Sequence, residues 1–144
     1  MRRILPGLAF LVAAIAVYAC FPRNADLAAF DPPGMARFET AMWRDYYEKR
    51  YAALFYHLYE SSRVEFGFSP LDSARIALAA ARAARTFQPT RSREEANAAL
   101  PSLLSYYGLL QTATGSRFDR AALARRELDW WQARREQARP SACR

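Results

Sequence analysis

Apolar residues run unbroken from Ile4 to Phe21, and beyond that they return at intervals of three and four. The two patterns are different signals: a continuous apolar run suits lipid or a fully buried element, whereas a 3.6-residue rhythm marks helices with one covered face. The run, ILPGLAFLVAAIAVYACF, holds eighteen residues without a charge and follows Met1-Arg2-Arg3. As a helix it would span roughly 27 Å, close to the hydrocarbon thickness of a bilayer. It predicts a transmembrane or signal helix over residues 1–21, with Arg2 and Arg3 kept on the cytoplasmic side and the remainder sent outward. Three fates fit the segment. It stays as an uncleaved anchor; or it is a lipoprotein signal, since Val17-Tyr18-Ala19-Cys20 approximates a lipobox with Cys20 to be acylated, although the bulky Tyr18 fits poorly; or it is cut after Ala19.

Residues 22–34 are punctuated by Pro22, Pro32 and Pro33 and read as a linker holding a domain off the membrane. Four helical segments follow. The first lies between Gly34 and Gly67, over thirty residues without an internal Pro or Gly, long enough for a kink. The second opens at Ser69-Pro70-Leu71-Asp72, with a serine cap, a proline at the first helical position and an acid in the first turn, and ends near Phe87. The third opens on the capping box Ser92-Arg93-Glu94-Glu95, is bent or restarted by Pro101, and runs to about Thr112. The fourth opens at Ser116-Arg117-Phe118-Asp119 and ends near Pro140. No strand pattern and no repeat emerges. The pattern predicts an all-α chain: the N-terminal helix, the linker, a bundle of about four helices over 35–140, and a tail at 141–144.

Within the first long segment, Trp43, Tyr47, Tyr51, Leu54 and Leu58 recur at core spacing. Glu39, Tyr46, Arg50 and His57 would form a polar strip along the edge of that seam. This is the one place where an acid, a base, a phenol and the chain's single imidazole share a stripe. Such a strip either satisfies groups flanking a core or lines a pocket that binds a small ligand or moves a proton. Phe38, Phe55, Tyr56 and Tyr59 fall off the seam, as does Trp130 on the fourth segment, and together they are candidate interface residues. Ala121, Ala124, Leu128 and Trp131 mark the fourth segment's inner face; its arginines, with Trp130, would suit an anionic lipid surface or plain solvation.

Composition narrows the chemistry. Among 144 residues there are 2 Cys and 1 His, which leaves no disulfide framework and no His-based metal cluster. One His-x-x-Glu, His57 with Glu60, is not a di-iron pattern, so no metal and no cofactor is expected. Ser102 and Ser105 have no base nearby in sequence to activate them. The net charge of +7 is carried by 20 Arg against one Lys. It is neutral over 35–66 and concentrated over 69–93 and 117–144. Without a nucleic-acid-binding motif, that charge does not suggest a DNA or RNA partner.

The run Glu39-Thr40-Ala41-Met42-Trp43-Arg44-Asp45-Tyr46-Tyr47-Glu48, followed by Ala79 to Phe87 and by Leu100-Pro101 with Tyr106-Tyr107, resembles a group of small bacterial membrane-anchored helical proteins over about residues 30–110. The resemblance favours the uncleaved anchor over the lipobox; with the orientation set by Arg2 and Arg3, the expectation is a single-pass protein of the bacterial inner membrane with its helical domain in the periplasm. It implies no activity and no functional residue. The expected function is a non-enzymatic, membrane-tethered module that binds an unidentified protein partner. The alternative is a small-ligand binder or cryptic enzyme using Glu39, Tyr46, Arg50 and His57.

Overall fold

The computed structural model describes residues 4–138, and all regular structure among them is helical. Arg2, Arg3, Arg139 and the tail 141–144 with Cys143 lie outside the described residues. Seven α-helices are described: α1 (Ile4–Cys20), α2 (Pro32–Tyr47), α3 (Tyr51–Val64), α4 (Pro70–Phe87), the single-turn α5 (Arg93–Ala96), α6 (Leu100–Thr114) and α7 (Arg120–Ala138). A 3-10 turn, Asn97–Ala99, joins α5 to α6. The chain divides into two compact units, one up to Ala77 and one from Leu78 onward, the division falling inside α4. In the N-terminal unit α2 packs on α3; in the C-terminal unit α6 packs on α7.

Several helix starts are those the sequence predicts. The Asp72 amide donates to Ser69 Oγ at 3.0 Å, while that hydroxyl donates to Asp72 Oδ2 at 2.8 Å. Ser92 caps α5 through the Glu95 amide at 3.1 Å. Pro101 sits in the first turn of α6, where its missing N–H removes no helical hydrogen bond, so it restarts the helix. Two starts differ. Pro32 and Pro33 are not ahead of α2 but inside its first turn, because Asp31 takes the capping role and accepts from the Gly34 amide at 2.8 Å. Asp119, not Ser116, caps α7: its Oδ1 accepts from the amides of Ala121 and Ala122.

The largest difference is that the expected long helix is two helices. The break at Glu48–Arg50 contains neither proline nor glycine. It is a Schellman closure in which the Lys49 amide donates to Tyr46 O at 3.2 Å and the Arg50 amide to Asp45 O at 2.8 Å. Lys49 occupies the left-handed position, φ +58°, that glycine usually fills. A seam extrapolated through such a break loses its phase. Leu54 is accordingly buried, Trp43 and Leu58 are half-buried, and Tyr47 and Tyr51 are exposed rather than core.

The core of the N-terminal unit is built from Leu54, Phe68, Ile76 and Ala77, with Asp45 and Tyr46 buried among its polar and aromatic groups. That of the C-terminal unit is Ala79, Ala83, Phe87, Ala96, Ala99, Leu103, Leu110, Ala124 and Leu128. Ala121, expected on the inner face of α7, is exposed. Among the described residues no helix is long and apolar enough to cross a membrane, so the transmembrane expectation gains no support from the fold. What the structure gives α1 is full exposure: every residue from Gly7 to Tyr18 is exposed.

Candidate functional site

The polar residues of α2 and α3 converge on one carboxylate. Asp45 lies in the last turns of α2 with its side chain 1 % exposed. Its Oδ1 accepts from Arg50 Nε at 3.1 Å and Nη2 at 2.7 Å, and its Oδ2 faces His57 Nδ1 at 2.7 Å. The helix break makes this possible. The left-handed Lys49 folds the chain back so that Arg50, at the start of α3, and His57, two turns further along it, both reach Asp45. Arg50 Nη1 also meets Glu48 Oε2 at 3.0 Å, and Arg50 remains half-exposed.

Burial works to raise the Asp45 pKa. The hydrogen bonds from His57 and Arg50, and their charges, outweigh it and hold the carboxyl below the usual carboxylate range. Asp45 is therefore an anion at neutral pH and an acceptor only, so His57 Nδ1 carries the hydrogen. The ring's other nitrogen, Nε2, is left facing away from the carboxylate, the orientation that an Asp–His pair gives a general base. Tyr56 packs edge-on to the imidazole with ring centroids 5.6 Å apart. No described hydrogen bond joins His57 to a serine, threonine or cysteine. Among the described residues no group of three or more His, Cys, Asp or Glu is placed to hold a metal ion.

Of the four strip residues, the structure brings Arg50 and His57 together on Asp45, whereas Tyr46 is buried against the rings of Trp43 and Tyr47. Glu39 is exposed on α2, outside the cluster. The acid of the site is Asp45, which sequence reasoning missed. Its spacing of five to Arg50 and twelve to His57 makes no single stripe on a continuous helix, and only the break brings the three together. An open depression of about 340 Å³ lies elsewhere in this unit, along α2, lined by Ala36, Arg37, Thr40, Ala41 and Arg44.

The candidate interface residues divide. Tyr56 and Trp130 are exposed, whereas Phe38, Phe55 and Tyr59 are half-buried. The Arg134 guanidinium sits 5.6 Å from the Trp130 ring centroid. On the same helix Arg135 is tied inward: its Nη1 donates to Thr90 O at 2.6 Å and its guanidinium lies 4.3 Å above Phe87. Arg125 donates to Asn97 at 2.7 Å. Part of the basic face of α7 is thus spent on tying the C-terminal unit together. Cys20 is exposed at the end of α1. No family model, no curated protein and no solved structure matches the chain.

Proposed function

We propose that the protein is a membrane-attached, non-enzymatic helical module, held in the bacterial inner membrane by α1 with its helical units on the periplasmic side, where they engage a protein partner. The observation that carries this reading is the state of α1. Leu8, Phe10, Leu11, Val12, Ile15 and Val17 are each at least 55 % exposed, and the arc of the helix they leave open is filled by the exposed Ala9, Ala13 and Ala16. A helix apolar on every side has no face to turn to water, and lipid is the medium in which it costs nothing. At 17 residues it reaches about 26 Å against about 30 Å of hydrocarbon, a mismatch that a bilayer meets by local thinning. Tyr18 and Phe21 at its end have the aromatic character of a headgroup-level belt.

The test is fractionation of cells expressing the full chain, followed by an alkaline carbonate wash and intact-mass measurement. The expected result is protein that stays in the membrane pellet after the wash. Protein in the soluble fraction with residues 1–21 still attached overturns the reading. The mass separates an intact anchor from cleavage after Ala19 and from acylation at Cys20.

A second reading, binding or proton transfer at the α2–α3 cluster, is favoured by one feature: His57 is held through Nδ1 by a buried carboxylate, which leaves Nε2 turned away from it. It requires that His57→Ala abolish a binding or turnover signal while leaving the fold intact. A variant that only loses stability shows the cluster to be a structural joint.

A further inference from the structure

The stretch between α1 and α2 is not a free tether. The amides of Arg23 and Asn24 both donate to Gly67 O, at 2.7 and 3.2 Å, and the Asp26 amide donates to Phe66 O at 3.2 Å. The Asp31 amide donates to Glu65 Oε2 at 2.9 Å. Gly67 has φ +67°, and a Cβ built there would stand 2.9 Å from the Asn24 amide nitrogen, so the linker lies against the turn where glycine leaves room for it. Ala25 is held at φ +52°, a conformation that persists only where surrounding bonds impose it. Phe30 packs edge-on to Phe66, which in turn lies against Phe68.

The end of α1 is gripped from the same place. Arg63, on the last turn of α3, is 8 % exposed. Its Nη1 donates to Phe68 O at 2.5 Å, and its Nη2 reaches the Tyr18 hydroxyl at 3.4 Å. Its guanidinium carbon lies 6.0 Å from the Tyr18 ring centroid. The arginine is thus rooted in the N-terminal unit by a backbone carbonyl and holds α1 by the one aromatic residue in that helix's last turn. Between these fixed points the linker exposes Phe21 and Phe30 along with the polar Asn24 and Asp26, while the Arg23 guanidinium turns to Arg63 O at 3.5 Å. Two phenyl rings interleaved with polar side chains, following directly on an exposed apolar helix, have the makeup of a segment lying in lipid headgroups.

We propose that residues 21–30 are a bilayer-contact surface and that Arg63, with the Gly67 turn, mounts α1 rigidly so that the N-terminal unit is held against the lipid instead of swinging on a stalk. This rests on the membrane reading of α1. Lipid is the occupant because Phe21 continues the exposed apolar run of α1 directly and Phe30 stands exposed nine residues beyond it, with polar groups suited to the headgroup layer between them.

The experiment uses the full chain carrying Cys20→Ser and Cys143→Ser, in vesicles of phosphatidylethanolamine and phosphatidylglycerol, with flotation as the first readout. Spin labels at Leu11→Cys and Tyr56→Cys report the distance between α1 and α3, and in a second preparation a label at Ala28→Cys reports membrane depth. The expected native distance distribution is a narrow peak. Arg63→Ala and Tyr18→Ala each lose that narrow peak and broaden it by swinging at Phe21-Pro22, the stretch left between α1 and the Gly67-bound linker, without reaching the roughly 18 Å spread of a wholly free linker. Tyr18→Ala removes the grip from the α1 side and leaves the packing of α2 and α3 untouched. The label at Ala28 is expected at headgroup depth. If the protein floats with the vesicles but its native distribution is already broad, or the Ala28 label reads bulk water, the mount is overturned while the membrane reading stands. If neither variant loses the narrow peak, the role assigned to Arg63 is overturned. Protein that fails to float overturns the membrane reading, and the mount with it.

Discussion

The two helix pairs α2–α3 and α6–α7 are joined by opposite means. Between α2 and α3 the most deeply buried side chain beside Leu54 is a carboxylate, Asp45, tied to a guanidinium and an imidazole. Between α6 and α7 the centre is Leu103, Leu110, Ala124 and Leu128. The carboxylate there, Glu127, sits at the edge, accepting from Trp131 Nε1 at 2.7 Å and Tyr107 Oη at 3.3 Å. Burial, and next the Glu127 charge, push the Tyr107 hydroxyl's pKa well above its ordinary value, so it remains a donor at any physiological pH. The contrast shows what each joint specifies. Apolar packing tolerates small shifts in register, whereas a buried anion needs its donors at fixed positions, and meeting that need forces a lysine into a left-handed turn.

The comparison is broken most directly at Asp45. Asp45→Ala removes the acceptor shared by three short contacts and should cost about 3–4 kcal/mol in urea unfolding. That is the lower part of the range for breaking a buried pair, because the half-exposed Arg50 can rehydrate. A cost near zero would mean the cluster joins nothing. Leu128→Ala, at the matching place in the C-terminal unit, should cost about 2–3 kcal/mol, moderated because the surrounding alanines can close on the space. If Leu128→Ala proves the costlier of the two, the polar joint is the weaker one.

Acid sharpens the contrast. Asp45 has a folded pKa below its ordinary 3.8, so its contribution is complete above that value and is lost as pH falls through the lower folded value. Urea midpoints measured down to about pH 2.5 should therefore fall, and Asp45→Asn should flatten that part of the curve. An unchanged slope in Asp45→Asn would assign the acid sensitivity to other carboxylates. The smallest effect is expected at the turn: Lys49→Gly should stabilise by about 0.5–1 kcal/mol by relieving the left-handed strain, net of glycine's added unfolded-state entropy. A loss of stability there would show that the turn is held by the lysine side chain rather than tolerated by it.

The legible parts of this fold are those decided within a few residues. Ser69 with Asp72, and Ser92 with Glu95, announce their helices because a cap and its amides are near neighbours. Pro101 restarts α6 because proline's geometry is its own. The break after Tyr47 was not legible, since no residue between Arg44 and Arg50 is a helix breaker. It also took with it the phase on which the seam through Tyr47 and Tyr51 was counted. The candidate site was half legible for the same reason. Arg50 and His57 do converge, but on Asp45 instead of Glu39, because the partner is chosen across a turn that periodicity cannot see. Asp119 displaced Ser116 as the cap of α7 by the same local chemistry, three residues on.

By itself the sequence determined that the chain is all-α, where most of its helices start, and that its first segment is apolar on every side. These follow from capping, proline geometry and side-chain character, all of them short-range. Only the tertiary structure decided that Asp45 is the buried anion, that Lys49 turns the chain, and that the linker is seated on Gly67 with Arg63 gripping Tyr18. The contacts involved join residues from 3 apart, at the Lys49 turn, to 45 apart, at Arg63 and Tyr18, and what selects among them is the meeting of separate helices.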